Sequence, residues 1–328
     1  MKTNINLNWN FKNVEDKEWK IVDLPHDAML FEERDPNCHN GVNSGYFPGG
    51  KYIYQKTLTF SEEDLAKNIY VFFEGVYQNC KVYLNCIQVG AHKYGFTEFK
   101  VNLTENALVG DNILRVDVDN SLEPNCRWYT GSGIYRDVYL IVEKKKAPNL
   151  LKIETISFDP AMISVTTESG CEIGITDSEG NLVMGQIMKE NDNESSNLVN
   201  YLITIPNAKL WSADYPYLYT CQVTRGGEEL SSTFGIRKLE WSAQKGLLIN
   251  GERVLLRGGC IHHDNGVLGA CAYADAEERR VRILKEAGYN AIRSAHNPMS
   301  RAMLDACDRL GMYVIDECFD GWYTPKTY

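Results

Sequence analysis

The sequence predicts a mainly β chain: two β-sandwiches in succession, then the first βα units of a parallel β/α barrel. Three observations carry this. Short runs rich in aromatic and β-branched residues recur from Lys51 to Val142 with no long helix between them. Pro148 opens a second series of short alternating runs that ends near Phe234. After Trp241 the pattern becomes strand, helix, strand, helix, strand, the grammar of parallel βαβ units. A chain of 328 residues exceeds what one core usually holds, since single cores rarely grow past about 250–300 residues. The boundaries fall at 1–146, 147–238 and 239–328.

In the first segment the expected strands are Lys51–Phe60, Ile69–Phe73, Lys81–Leu84, Asn112–Val118 and Tyr135–Val142. Leu114, Val116 and Val118 alternate with Ile113, Arg115, Asp117 and Asp119, the period of two that marks a half-buried strand. Asn85-Cys86 follows the third run. It lacks the glycine a type I′ turn favours, which predicts a longer or strained loop.

The second segment offers Leu151–Phe158, Ile163–Thr167, Tyr201–Ile205 and Tyr219–Thr224 among about seven strand-like runs in about 90 residues, the dimensions of a small immunoglobulin-like sandwich. Its most polar stretch, Lys189–Asn200, reads as a loop. Trp211 and Tyr215–Tyr219 read as sandwich core.

In the third segment Val254–Cys260 is an apolar strand. Asp275, with Glu278 three residues on, can cap a helix that buries Val281, Leu284 and Ala287 and ends at Gly288. Asn290–Ser294 is a second strand. Pro298 and Ser300 start a second helix with a stripe of Met303, Leu304, Cys307 and Leu310, stopped by Gly311, and Met312–Asp316 is the third strand. No Gly-x-Gly-x-x-Gly follows the first strand, which argues against a dinucleotide fold. A β/α barrel needs roughly 200 residues or more, so residues 239–328 supply an incomplete one.

Composition narrows the function classes. A net charge of −10 argues against nucleic acid as partner, because phosphate binding depends on Lys and Arg. The run Lys144-Lys145-Lys146 before Ala147-Pro148 reads as a solvated linker. No apolar run reaches the roughly 18 residues of a membrane span, and the start, Met1-Lys2-Thr3-Asn4, lacks the apolar core of a secretory signal. Ten cysteines without a Cys-x-x-Cys pair read as free thiols, giving a cytoplasmic expectation.

Several ordered motifs resemble one family. Pro25-His26-Asp27, then Gly45-Tyr46-Phe47-Pro48-Gly49-Gly50, then Arg127 to Arg136 (Arg-Trp-Tyr-Thr-Gly-Ser-Gly-Ile-Tyr-Arg) resemble the N-terminal jelly-roll domain of glycoside hydrolase family 2. Phe234-Gly235-Ile236-Arg237 resembles the exit of its immunoglobulin-like domain. Leu256 to Asp264 and Asn290 to Pro298 resemble the first two strands of its TIM (β/α)8 barrel. Asn297 with Pro298, and Phe319-Asp320-Gly321-Trp322, look most like the bacterial β-galactosidase branch; β-glucuronidases and β-mannosidases are the alternatives within the family.

The resemblance implies retaining hydrolysis of terminal β-linked sugars, which takes two carboxyl groups about 5–5.5 Å apart. In the family both are glutamates after later barrel strands, the acid preceded by Asn. The one Asn-Glu pair here, Asn193-Glu194, lies in the second segment. Asp316 and Glu317 are strand neighbours and point to opposite faces. No catalytic glutamate is therefore expected in this chain, which should be inactive by itself.

What remains is a supporting shell. Arg293 resembles the arginine that orients the nucleophile through a charge-assisted fork. His262, His296 and Asn297 resemble sugar-contacting residues, and Asp320 and Trp322 are candidates for hydroxyl binding and stacking. Arg127 and Trp128 resemble a first-domain loop that reaches over the barrel mouth. His262-His263-Asp264 does not read as a zinc site, since adjacent side chains diverge and a third ligand at the usual spacing is missing. No cofactor is expected, and the divalent-cation requirement of an intact enzyme stays open. The expected partner is a β-linked oligosaccharide or glycoside. A non-catalytic carbohydrate-binding protein is the rival class. Unpaired strand edges and an open barrel lining also predict self-association into a homo-oligomer.

Overall fold

The computed structural model describes residues 2–192 and 197–320. The first sandwich packs two antiparallel sheets face to face. One has four strands in the order Lys2–Asn4, Val138–Glu143, Asn68–Phe73, Phe99–Asn102. The other has six, in the order Lys20–Val22, Trp9–Asn13, Lys51–Phe60, Gly110–Asp119, Cys80–Leu84, Ile87–His92. The alternation read from the sequence is the burial pattern of the long central strand: Leu114, Val116 and Val118 point into a core with Trp9, Tyr54, Ile69, Phe73 and Leu84. The turn after Leu84 is not lengthened. Leu84 pairs with Ile87, and Asn85 and Cys86 both take positive φ, 49° and 70°, so a cysteine stands where glycine would carry no Cβ penalty.

Among the described residues the second sandwich has seven strands in two sheets: Leu151–Phe158, Ala161–Glu168, Leu198–Thr204 and Ile187–Asp192 in one, Glu172–Thr176, Tyr219–Arg225 and Glu228–Phe234 in the other. Ile163, Val165, Ile175, Ile203, Tyr219, Cys221 and Ile236 fill its core. Lys189–Asn200 is therefore not simply a loop. Much of it is paired strand, because Lys189 faces Tyr201 and Asn200 lies between Thr166 and Asn191; Asn193 and Glu194 lie outside the described residues. Two core assignments also change. Tyr215 is exposed, and Trp211 packs with Ala213, Ile249, Ala291 and Tyr313, its Nε1 donating to the Asp308 carbonyl at 2.9 Å. Trp211 thus joins this sandwich to the parallel sheet.

After a short three-stranded hairpin sheet (Leu239–Ser242, Gly246–Ile249, Glu252–Arg253), three parallel strands lie in the order Gly258–Ile261, Ala291–Ser294, Tyr313–Ile315. The first begins later than the apolar run Val254–Cys260 suggests. The Asn290 side chain takes up the backbone just before it, accepting from Arg257 N at 2.6 Å and donating to Leu255 O at 3.0 Å. The first helix runs Ala274–Glu286 with Tyr273, not Asp275, at its N-cap; Asp275 sits in the first turn, where its charge suits the helix dipole. Gly288 follows with φ 86°. The second helix, Arg301–Leu310, is capped by Ser300, whose Oγ accepts from Met303 N, and ends at left-handed Gly311. Both helices cover one face of the sheet through Val281, Ile292, Met299, Met303, Ala306 and Cys307. The other face, carrying Cys260, Arg293 and Ile315 in register, is open. All ten cysteines are unpaired. Among the described residues no helix is long and apolar enough to cross a membrane.

Candidate functional site

The strand ends of the parallel sheet share one edge, and the loops leaving it gather most of the sequence-predicted residues. Arg293 lies on the open face of the middle strand. Its Nε donates to Glu317 Oε1 at 2.5 Å, and its Nη1 reaches Cys260 Sγ at 3.2 Å. The other carboxylate oxygen, Oε2, lies 3.1 Å from His296 Nδ1. The Arg293 hydrogen bond holds the Glu317 carboxyl below its usual range, with the Arg293 and His296 charges adding to it. Asp316 turns the other way: its Oδ1 accepts from Ser294 Oγ at 2.6 Å. Both residues follow the strand, which ends at Ile315, and their carboxylates take different partners, Ser294 for Asp316 and Arg293 with His296 for Glu317.

The first sandwich supplies the other half. Arg127 grips Asp320 with a fork, Nε to Oδ2 at 3.1 Å and Nη2 to Oδ1 at 2.8 Å. Beside it the Trp128 indole packs against two imidazoles, its ring centre 5.5 Å from His262 and 5.2 Å from His296, which lie edge to face 5.7 Å apart, so the three rings form a triangle. Burial lowers the His262 pKa. A cavity of about 680 Å³ opens here, walled by Arg293, His296, Glu317, Phe319 and Asp320. Six predicted residues, Arg127, Trp128, His262, Arg293, His296 and Asp320, thus gather around one mouth.

Two predicted residues fall elsewhere. Asn297 does not wall this cavity; it is 1% exposed, and its side-chain oxygen and nitrogen have no hydrogen-bond partner among the described residues. Trp322 lies outside the described residues. His263 belongs to the seam between sandwich and sheet: Nε2 donates to Thr130 O at 2.8 Å, and burial drives its pKa down to about 3. Among the described residues no group of His, Cys, Asp or Glu could hold a metal. Sequence reasoning missed Glu317 as a member of the site, although its position after a strand was visible. It also gave Asp27 no role, although Pro25-His26-Asp27 stood out.

The seam is built of main-chain and side-chain clasps. Tyr273 OH donates to Pro25 O at 3.0 Å, Ala272 N to Tyr135 O at 3.0 Å, Arg136 Nη2 to Pro298 O at 2.9 Å and Tyr94 OH to Cys318 O at 2.8 Å.

Two sandwiches set ahead of a βα sheet, with a sandwich loop folded over the sheet's strand ends, define a modular carbohydrate-active enzyme class. The family models agree segment by segment: glycosyl hydrolases family 2, sugar binding domain, over 42–144; glycosyl hydrolases family 2 over 156–237; and the TIM barrel domain of that family over 242–321. The chain belongs to glycosyl hydrolases family 2 and corresponds to its N-terminal portion. It is 35% identical to the β-galactosidase BoGH2A of Bacteroides ovatus over 95% of this chain and 39% of that protein. It is 26% identical to a β-glucuronidase of Formosa agariphila over 95% of this chain and 37% of the other. A family 2 crystal structure from Bacteroides cellulosilyticus superposes with a TM-score of 0.90 at 33% identity, covering all of this chain and 47% of that one. The chain thus spans less than half the length of these relatives.

Proposed function

We propose that this chain is the N-terminal part of a retaining glycosidase that removes terminal β-linked sugars, in first place a β-galactosidase. The observation that carries the proposal is the cavity at the strand ends walled by Arg293, His296 and Asp320, with Arg127 bonded to Asp320 and Trp128 packed against His296 and His262 behind it. Relatives named β-galactosidase, at 35% identity, and putative β-glucuronidase, at 32%, support a β-glycosidase of this family; galactose is placed first, with glucuronate and mannose as the alternatives.

Each residue has a task that its surroundings suit. Arg293, fixed by Glu317 and open toward the barrel interior, would orient the nucleophilic carboxylate and keep it ionised. His262 and His296 would present ring nitrogens to sugar hydroxyls, with Trp128 packed against both rings. Asp320 would accept from a hydroxyl while Arg127 fixes its orientation. The acid/base and nucleophile glutamates would come from barrel strands outside residues 1–328, so the 328-residue chain would bind sugar and leave it uncleaved.

The test is hydrolysis of the nitrophenyl β-galactoside, β-glucuronide and β-mannoside, by the 328-residue chain and by a version extended along its own reading frame. The expected result is cleavage of the galactoside by the extended protein alone. Preference for the glucuronide or mannoside would move the assignment within the family. Turnover by the 328-residue chain would refute the division of labour. Silence of the extended protein, with oligosaccharide binding by calorimetry, would favour a non-catalytic carbohydrate-binding protein.

A further inference from the structure

At the centre of the seam one carboxylate serves three separate segments. Asp27 is 1% exposed. Its Oδ1 accepts from Met29 N at 3.0 Å, capping the short turn Ala28–Phe31, and from Ser132 N at 3.0 Å. Its Oδ2 accepts from Tyr129 OH at 2.7 Å and from Ala270 N, on the loop after the first parallel strand, at 2.8 Å. Four donors around a buried carboxylate satisfy nearly all its acceptor capacity. The surroundings have no slack. Gly131, at φ 69°, could carry a Cβ only by placing it 2.8 Å from Asp27 Oδ2 and 2.5 Å from the Ala270 methyl. A Cβ on Gly269, at φ 58°, would strike the same oxygen. The two glycines let two loops close on this carboxylate.

The location matters because Trp128 and Arg127 immediately precede Tyr129. The loop that Asp27 holds is the one that places the indole against His262 and His296 and the guanidinium on Asp320. Apart from the Arg127–Asp320 fork, its other holds on the barrel loops, Thr130 O to His263 and Tyr135 O to Ala272, lie on the C-terminal side of Tyr129. Asp27 and the Tyr129 hydroxyl form the anchor nearest the tryptophan on that side.

We infer that Asp27 is a positioning residue for the sugar site: by tying Tyr129, Ser132 and Ala270 to one carboxylate, it sets the height of Trp128 and Arg127 over the barrel mouth. The inference rests on the glycosidase assignment proposed above for its substrate, and on geometry alone for its structural half. Asp27 touches neither cavity nor sugar and acts through the loop.

Asp27→Asn keeps the shape and replaces one acceptor oxygen by an NH2 that cannot accept from Ala270 N. Tyr129→Phe removes one donor and leaves the other three bonds, so it remains foldable where the first variant is not. Amide hydrogen exchange on the 328-residue chain is expected to rise at least tenfold in 127–132 and 266–272, with the strands Lys51–Phe60 and Gly110–Asp119 unchanged. In the extended protein both variants should raise KM for the nitrophenyl glycoside, about tenfold for Asp27→Asn, with kcat within twofold. Faster exchange with KM and kcat unchanged would mean the carboxylate only stabilises the seam, and unchanged exchange would remove the positioning altogether. If the wild-type extended protein cleaves no glycoside, the proposed function falls and the exchange pattern alone decides the positioning of the loop.

Discussion

Glu74 offers a sharp test of the seam's electrostatics. Its carboxyl is 8% exposed and lines a cavity of about 340 Å³ between the first sandwich and the parallel sheet. Burial pushes its pKa from 4.5 up to about 7. Asp137 adds to the rise, while Arg301, Lys2 and Arg136 oppose it. The opposition is weak because Arg301 Nε stands 3.9 Å off while its Nη2 is engaged by Glu98 at 2.7 Å, and Arg136 Nη1 points to main-chain carbonyls, including that of Glu74. The carboxyl titrates higher in the folded chain than in the unfolded one, so folding favours its protonated form. The stability it contributes is present below about 4.5 and is lost as pH rises through about 7. At 1.36 kcal/mol per unit the whole shift is about 3 kcal/mol, of which about 2–3 kcal/mol falls between pH 5 and 8. Glu74→Gln removes the titration. Thermal unfolding of both proteins at pH 5 and pH 8 should show the variant gaining on the wild type as pH rises, by several degrees at pH 8. Subtracting one protein from the other removes the contributions of the remaining buried acids. A wild-type minus variant difference that is the same at both pH values, or a variant less stable at pH 8, would refute the reasoning.

Other outcomes follow from single positions. Cys86→Gly should stabilise the first sandwich by about 1 kcal/mol, read in urea denaturation, because φ 70° penalises any Cβ. Met303→Ala, at a fully buried position facing Val281 and Ile292, should cost about 2–5 kcal/mol, read as an earlier unfolding transition of the parallel sheet. Ser300→Ala removes the cap from Met303 N and should cost about 1 kcal/mol, with Ser300→Asp recovering most of it in the same melt.

Local chemistry made the architecture legible. Alternation placed Leu114, Val116 and Val118 in the core, and Ser300 and Gly311 bounded their helix within a residue. Errors arose where a distant partner decides. Lys189–Asn200 is polar enough for a loop, yet cross-strand hydrogen bonds to Tyr201 and Thr166 draw most of it into a sheet. Val254–Arg257 is apolar enough for a strand, but the Asn290 amide claims its backbone. Trp211 was correctly buried but placed in the wrong core, because its neighbours Ala291 and Tyr313 lie some 80–100 positions onward in sequence. At the candidate site, family motifs singled out His262, Arg293 and His296, while the links Arg127–Asp320 and Arg293–Glu317 needed coordinates. Asn297 shows the limit of a motif: it names a residue without saying which way the side chain faces.

The clasps along the seam bear on the order in which the chain acquires structure. Pro25, Asp27, Thr130, Tyr135 and Arg136 all belong to a sandwich that is synthesised first, and their partners, from His263 to Pro298, come later. At roughly 5–20 residues per second, the sandwich has on the order of ten seconds to settle before Ala291–Ser294 is made. The first parallel strands thus emerge beside a finished surface that already offers the Thr130 and Tyr135 carbonyls, the Asp27 carboxylate and the Arg136 guanidinium. Parallel sheets are slow to nucleate because their partners lie far apart in sequence. A sandwich folded first would offer a template, with Asp27 and the Tyr135 carbonyl ready to take the loop around Ala270 before the next strand is made.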